Sequence, residues 1–125
     1  MKRTTETEIV HVCLAGLKAC GAFAWRNNTG ARPWSTKPGE KRVVRFGTPG
    51  APDIMAVFEG WFLAIECKRP GKAQTEDQKT WQTYCELSRG EYWVIESLDQ
   101  LFAKVADFCT RKNIHNPVRA FGGRH

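Results

Sequence analysis

Apolar residues recur at helical spacing over residues 5–20, where Ile9, Val12, Cys13, Gly16 and Leu17 share one face. This pattern predicts an amphipathic helix, which Gly21 stops, followed by a short strand over residues 22–25. Two apolar runs further on, residues 53–58 and 61–68, read as strands joined by a tight turn at Glu59-Gly60. Thr75-Glu76-Asp77-Gln78 has the form of a capping box, with Thr at the N-cap and Gln at the third helical position. It predicts a helix to about residue 89 that buries or half-buries Trp81, Tyr84, Cys85 and Leu87, with Gly90 closing it. Residues 92–96 form the next expected strand. Ser97-Leu98-Asp99-Gln100 repeats the capping pattern, and the helix behind it turns Leu101, Phe102, Val105, Phe108 and Cys109 inward.

A helix that links two strands is a crossover, so residues 61–68 and 92–96 are expected to pair in parallel, while the hairpin pairs antiparallel. The fold class is therefore α/β, with a mixed central β-sheet flanked by α-helices. A chain of 125 residues predicts one domain spanning 1–125, large enough to bury a core without disulfides.

Residues 26–50 interrupt these patterns. Asn27, Asn28, Gly30, Pro33, Pro38, Gly39, Gly47, Pro49 and Gly50 are turn formers, and a short strand at residues 42–46 is the one regular element expected. Arg26, Arg32, Lys37, Lys41, Arg42 and Arg45 against Glu40 alone give this loop a net charge of +5. The whole chain carries +6, and the tail from Arg111 to His125 is also basic and turn-rich. A small basic domain is suited to a polyanion such as nucleic acid. Trp34 is the candidate for stacking on a base, while Trp25, Trp61, Trp81 and Trp93 read as core.

Cys13, Cys20, Cys67, Cys85 and Cys109 include no CxxC pair, which argues against a zinc site of the usual spacing. Four of the five fall on apolar faces, as small core residues do. No apolar run approaches membrane-spanning length and no signal-peptide pattern opens the chain, so a reduced, cytoplasmic protein without membrane contact is expected. His11, His115 and His125 have no partners at ligand spacing.

Candidate chemistry lies at the strand ends. Glu66 and Lys68 are two apart and share a strand face, with Cys67 pointing away. Charges there are costly unless paired or bound to a metal. Asp53 and Glu66 are each six residues from the Glu59-Gly60 turn, so the hairpin brings the two carboxylates together. Adjacent carboxylates repel unless a cation sits between them. A few hard oxygen ligands with open positions suit Mg²⁺ or Mn²⁺, and the Cys67 carbonyl is a further candidate ligand. Such a metal lowers the pKa of bound water, and Lys68 is placed to orient that water. Taken singly, Asp53 also fits a turn residue, and Glu66 with Lys68 a strand-end ion pair.

Pro52-Asp53, then Glu66-Cys67-Lys68, resembles the PD-(D/E)xK nuclease superfamily. With Trp25-Arg26-Asn27-Asn28-Thr29-Gly30, Gly50-Ala51-Pro52-Asp53-Ile54, Ala64-Ile65-Glu66-Cys67-Lys68, Gly71-Lys72 and Gln78, the chain looks like the VRR-NUC family over residues 4–97. Ala51 stands where that family often has Val. The resemblance implies a restriction-endonuclease-like core and a metal-dependent DNA endonuclease. It also implies a glutamate on the first helix near the metal, for which Glu6 and Glu8 are available. Glu6 lies with Cys13 and Leu17 on the inward face, whereas Glu8 points about 160° away. The resemblance further assigns Gln78 a supporting role beside its capping. The implied metal ligands are Glu6, Asp53, Glu66 and the Cys67 carbonyl, with Lys68 and Gln78 completing the catalytic set. Arg26, Asn28, Arg32, Lys41, Arg42 and Arg45 are the candidate DNA contacts. Short members of the family resemble four-way-junction resolvases acting as homodimers, so branched DNA and a second copy are the implied partners. A restriction- or repair-type nuclease, or a DNA-binding module that keeps the fold without catalysis, remain the alternatives.

Overall fold

The structure, a computed structural model, describes residues 4–28, 30–33 and 35–115, with backbone alone for residues 30–33 and 44–46. The element order is α1 (Glu6–Ala19), β1 (Phe23–Arg26), β2 (Gly30–Pro33), β3 (Val43–Phe46), β4 (Ile54–Phe58), β5 (Trp61–Cys67), α2 (Glu76–Leu87), β6 (Glu91–Ile95) and α3 (Leu98–Arg111). The main sheet runs β1-β4-β5-β6. β4 pairs antiparallel with both β1 and β5, and β5 pairs parallel with β6 across the α2 crossover. This is an α/β fold with a four-stranded mixed sheet flanked by three helices.

The hairpin forms as its turn residues dictate. Glu59 (φ 49°) and Gly60 (φ 83°) both adopt the left-handed conformation that a two-residue turn between twisted strands demands. α1 and α3 cover one sheet face. There Ile9, Cys13, Leu17, Leu101 and Phe108 pack on Ile54, Leu63, Ile65, Cys67 and Ile95. α2 covers only the β5–β6 part of the other face, where Cys85 and Trp81 meet Ala64 and Tyr92. All five cysteines are buried and free.

Several expectations are corrected. Residues 26–50 are not a structureless loop with one strand: β2 pairs with β3 in a separate antiparallel hairpin, Gly30 opposite Phe46 through Pro33 opposite Val43. Glycine and proline hid β2, because alternation cannot be read over four such positions. On α1 the buried stripe includes Val10 rather than Val12, and on α3 Phe102 is exposed. On α2, Tyr84 is 68% and Leu87 73% exposed. The sheet meets only the Trp81–Cys85 stripe, and Leu87 lies about 160° round the helix from Cys85.

Trp25 is partly exposed on the edge strand β1, its ring 5.2 Å from that of Phe23, because no helix covers the β1–β4 half of that face. Arg89 (φ 72°), not Gly90, takes the left-handed position after α2. Gly90 is instead required by packing, since a Cβ there would lie 2.7 Å from Cys85 Sγ. The second capping box is half-formed: Ser97 Oγ accepts from Gln100 N, but the Gln100 side chain accepts from Glu96 N–H at 2.7 Å rather than from Ser97. Arg111 is the last residue of α3 and not the start of a tail; it pairs with Glu91 and Asp107. Trp34, and the tail over residues 116–125, lie outside the described residues. Among the described residues no helix is long and apolar enough to cross a membrane.

Candidate active site

The β4–β5 register places Ile54 opposite Ile65, so its next step sets Asp53 opposite Glu66. Asp53 is held from three directions. Its carbonyl accepts Asn27 N–H at 2.8 Å, and the preceding Pro52 carbonyl accepts Asn27 Nδ2 at 3.1 Å. Its Oδ2 accepts the backbone N–H of Cys67 at 2.8 Å. Cys67 itself belongs to the core on the α1 side, its thiol in contact with Cys13, and so points away from the site.

Glu66 is 3% and Lys68 7% exposed, the only charged side chains buried among the described residues. Burial first, then the hydrogen bond and negative charge of Asp53, push the Glu66 carboxyl up to about 9; the Lys68 ammonium opposes this and Glu6 adds to it. Near neutral pH the Glu66 carboxyl therefore keeps its proton. Glu66 Oε2 is buried without a hydrogen-bond partner. A buried acceptor left unpaired is costly. The hydroxyl of Tyr92, on β6, is buried without a well-formed hydrogen bond; burial and the Glu66 charge raise its pKa, against a smaller lowering by Gln74.

Glu6 stands at the periphery. Its Oε2 accepts Arg69 N–H at 3.5 Å and lies 4.0 Å from Arg69 Nε. Glu8 is exposed on the far side, as helical geometry predicts. Among the described residues, no group of three or more His, Cys, Asp and Glu is close enough to hold a metal ion. Asp53 and Glu66 thus form a pair to which Glu6 contributes charge from outside. The donor set nevertheless fits a hard divalent cation: two adjoining carboxyls, one with an unpartnered oxygen, that repel without a proton or cation between them.

Gln78 completes the capping box, its Oε1 accepting Thr75 N–H at 2.9 Å. Its backbone also borders the loop that leads to Asp53. A Cβ at Gly50 would lie 2.2 Å from the Asp77 carbonyl oxygen and 2.7 Å from Gln78 N, so only glycine lets that loop approach α2.

The candidate DNA contacts are dispersed. Arg26 and Asn28 are exposed at the end of β1, near Asp53 through the Asn27 bonds. Lys41 and Arg42 are exposed, and Arg42 is ion-paired with Glu40. Arg32 lies on β2 opposite Val44, and Arg45 on β3 opposite Ala31; their side chains lie outside the described ones. Sequence reasoning missed Asn27, Arg69 and Tyr92 as neighbours of the site. Asn27 carried a local signal, as an amide directly after a strand, but its reach to Pro52 spans 25 residues. Nothing local marked the other two.

Comparison with family models, with curated proteins and with solved structures finds no match.

Proposed function

We propose that the chain is a metal-dependent DNA endonuclease of the VRR-NUC type, built on a restriction-endonuclease-like core. The observation that carries this reading is the buried pairing of Asp53 with Glu66 beside the buried Lys68. A folded protein retains such a costly group of charges when it serves chemistry. The mixed sheet, with α2 crossing between parallel strands β5 and β6, is compatible with that core.

Asp53 and Glu66 would hold Mg²⁺ or Mn²⁺, with the Cys67 carbonyl as a further ligand and Glu6 adding negative charge. Bound there, the cation would lower the pKa of a water and offset charge on the scissile phosphate. Asn27 and the Cys67 N–H orient Asp53. Lys68 orients the attacking water and stabilises charge gathering on the phosphate oxygens. Hydrolysis forms one P–O bond to water and breaks one to the leaving strand, whose oxygen takes up a proton. Gln78 anchors the start of α2 against the Gly50 loop. Branched DNA is the substrate that the sequence resemblance favours.

The test is a panel of labelled duplex, flap, fork and four-way DNA with Mg²⁺ or Mn²⁺. Metal-dependent cleavage, strongest on branched forms and abolished by EDTA, is expected. Absence of cleavage on every form, or cleavage unaffected by EDTA, overturns the reading.

A further inference from the structure

Phe62, Ala64, Glu66 and Lys68 are spaced two apart along β5, so they share one sheet face. The carboxyls lie at one end of that row. At the other end opens a groove of about 730 Å³, lined among others by Thr48, Trp61, Phe62, Trp81, Tyr84 and Arg89. It lies along the flank of α2, beside the half of the sheet that no helix covers. Four strand steps lead from Phe62 to Glu66, about 13 Å. That is about four rises of duplex DNA at 3.4 Å each, and fewer in an unstacked strand.

We infer that this groove binds an unpaired nucleobase of the DNA strand, with Arg89 holding its phosphate. The inference rests on the nuclease reading for the identity of its ligand. The lining supplies flat aromatic faces, of which Tyr84 is 68% exposed and so already open to a ligand. Trp81, which lines the groove, has its ring 6.0 Å from that of Tyr92, whose hydroxyl feels the Glu66 charge.

Arg89 is the cation of the groove lining, and it forms no ion pair among the described residues. The nearby acids are engaged: Glu86 accepts from Gln82, and Glu91 pairs with Arg111. Arg89 also occupies a left-handed backbone position, φ 72°, that glycine adopts at no steric cost. Aromatic faces with cations at the rim are the chemistry of single-strand binding, where a base stacks and its phosphate is neutralised. A groove of this kind would favour DNA with unpaired bases beside the cut and would disfavour intact duplex.

The experiment uses the full chain in EDTA, so that binding is read without cleavage. The probes are fork and flap DNA carrying 2-aminopurine at an unpaired position, and a blunt duplex. Two variants are compared with wild type. Tyr84→Ala removes an exposed ring, and Arg89→Gly removes a charge while easing the backbone, so neither is expected to unfold the protein. The expected result is quenching of 2-aminopurine by wild type. Each variant should lose the quenching and bind the unpaired-base probes about tenfold more weakly, with duplex affinity unchanged. Equal quenching and equal affinity in all three proteins would overturn the groove assignment. So would a dimer that dissociates in either variant while quenching persists, because the groove then seats a second copy of the chain. Cleavage by wild type in Mg²⁺, scored alongside, separates failure of the groove from failure of the nuclease reading.

Discussion

Asp53 Oδ2 accepts the backbone N–H of Cys67 at 2.8 Å, one residue beyond Glu66 on the neighbouring strand. This bond fixes one carboxylate of the candidate site against the backbone that carries the other. Glu66, buried and beside this carboxyl, is the one pushed up to about 9.

The first prediction concerns the site itself. Glu66→Gln, Asp53→Asn and Lys68→Ala should each lower cleavage by at least about 100-fold, while DNA binding in EDTA stays close to wild type. Single-turnover cleavage and fluorescence anisotropy measure the two. Full activity in any one variant would remove that residue from the chemistry.

The second prediction is a pH dependence of the metal-free protein. Glu66 has its carboxyl raised from 4.5 to about 9 in the folded state. Between these values the unfolded chain releases a proton that the folded chain keeps, so stability should fall as pH rises from 4.5 toward 9. The fall is a few kcal/mol, on the order of 6 at most. Glu66→Gln should flatten it. Urea unfolding at several pH values, with and without Mg²⁺, provides the measurement. A slope shared by wild type and Glu66→Gln would show that Glu66 is not the group responsible.

Gly50→Ala should be more harmful than its size implies. The position has φ +79° and its Cβ would meet the Asp77 carbonyl oxygen at 2.2 Å. A left-handed alanine with an added clash should cost about 2 kcal/mol or more, a fall in Tm of about 8 °C for a domain of this size. Calorimetry checks this. The loop to Asp53 would shift as well, so turnover should drop further than substrate binding.

The basic loop should contribute to DNA affinity through salt-sensitive contacts. Each lost phosphate contact lowers the salt slope by about one. Because Arg42 is already paired with Glu40, Lys41→Ala with Arg42→Ala should lower the slope by nearer one than two. A slope equal to wild type would move the DNA-binding surface elsewhere, with the basic residues 112–125 the next candidate.

For the proposed cleavage of four-way junctions a homodimer is expected, since two symmetric cuts need two sites. Sedimentation at micromolar concentration should show it. Monomer alone, with junction cleavage retained, would contradict the expectation.

Local sequence was sufficient for what short-range stereochemistry controls. Glu59-Gly60 could only make a tight turn, and equal arms of six residues then brought Asp53 opposite Glu66. The two-residue pleat placed Glu66 and Lys68 on one face and Cys67 on the other, and Thr75 with Gln78 announced the start of α2. These outcomes follow from backbone dihedrals and strand period, which act over a few residues. Tertiary structure decided burial and partnership. Whether Val10 or Val12 enters the core, and whether Tyr84 is covered, depends on where α1 and α2 come to rest on the sheet. Asn27 reaching Pro52, the raised carboxyl of Glu66 and the buried hydroxyl of Tyr92 arise from groups far apart in sequence. Their electrostatics depend on desolvation, which exists only once the chain has closed around them.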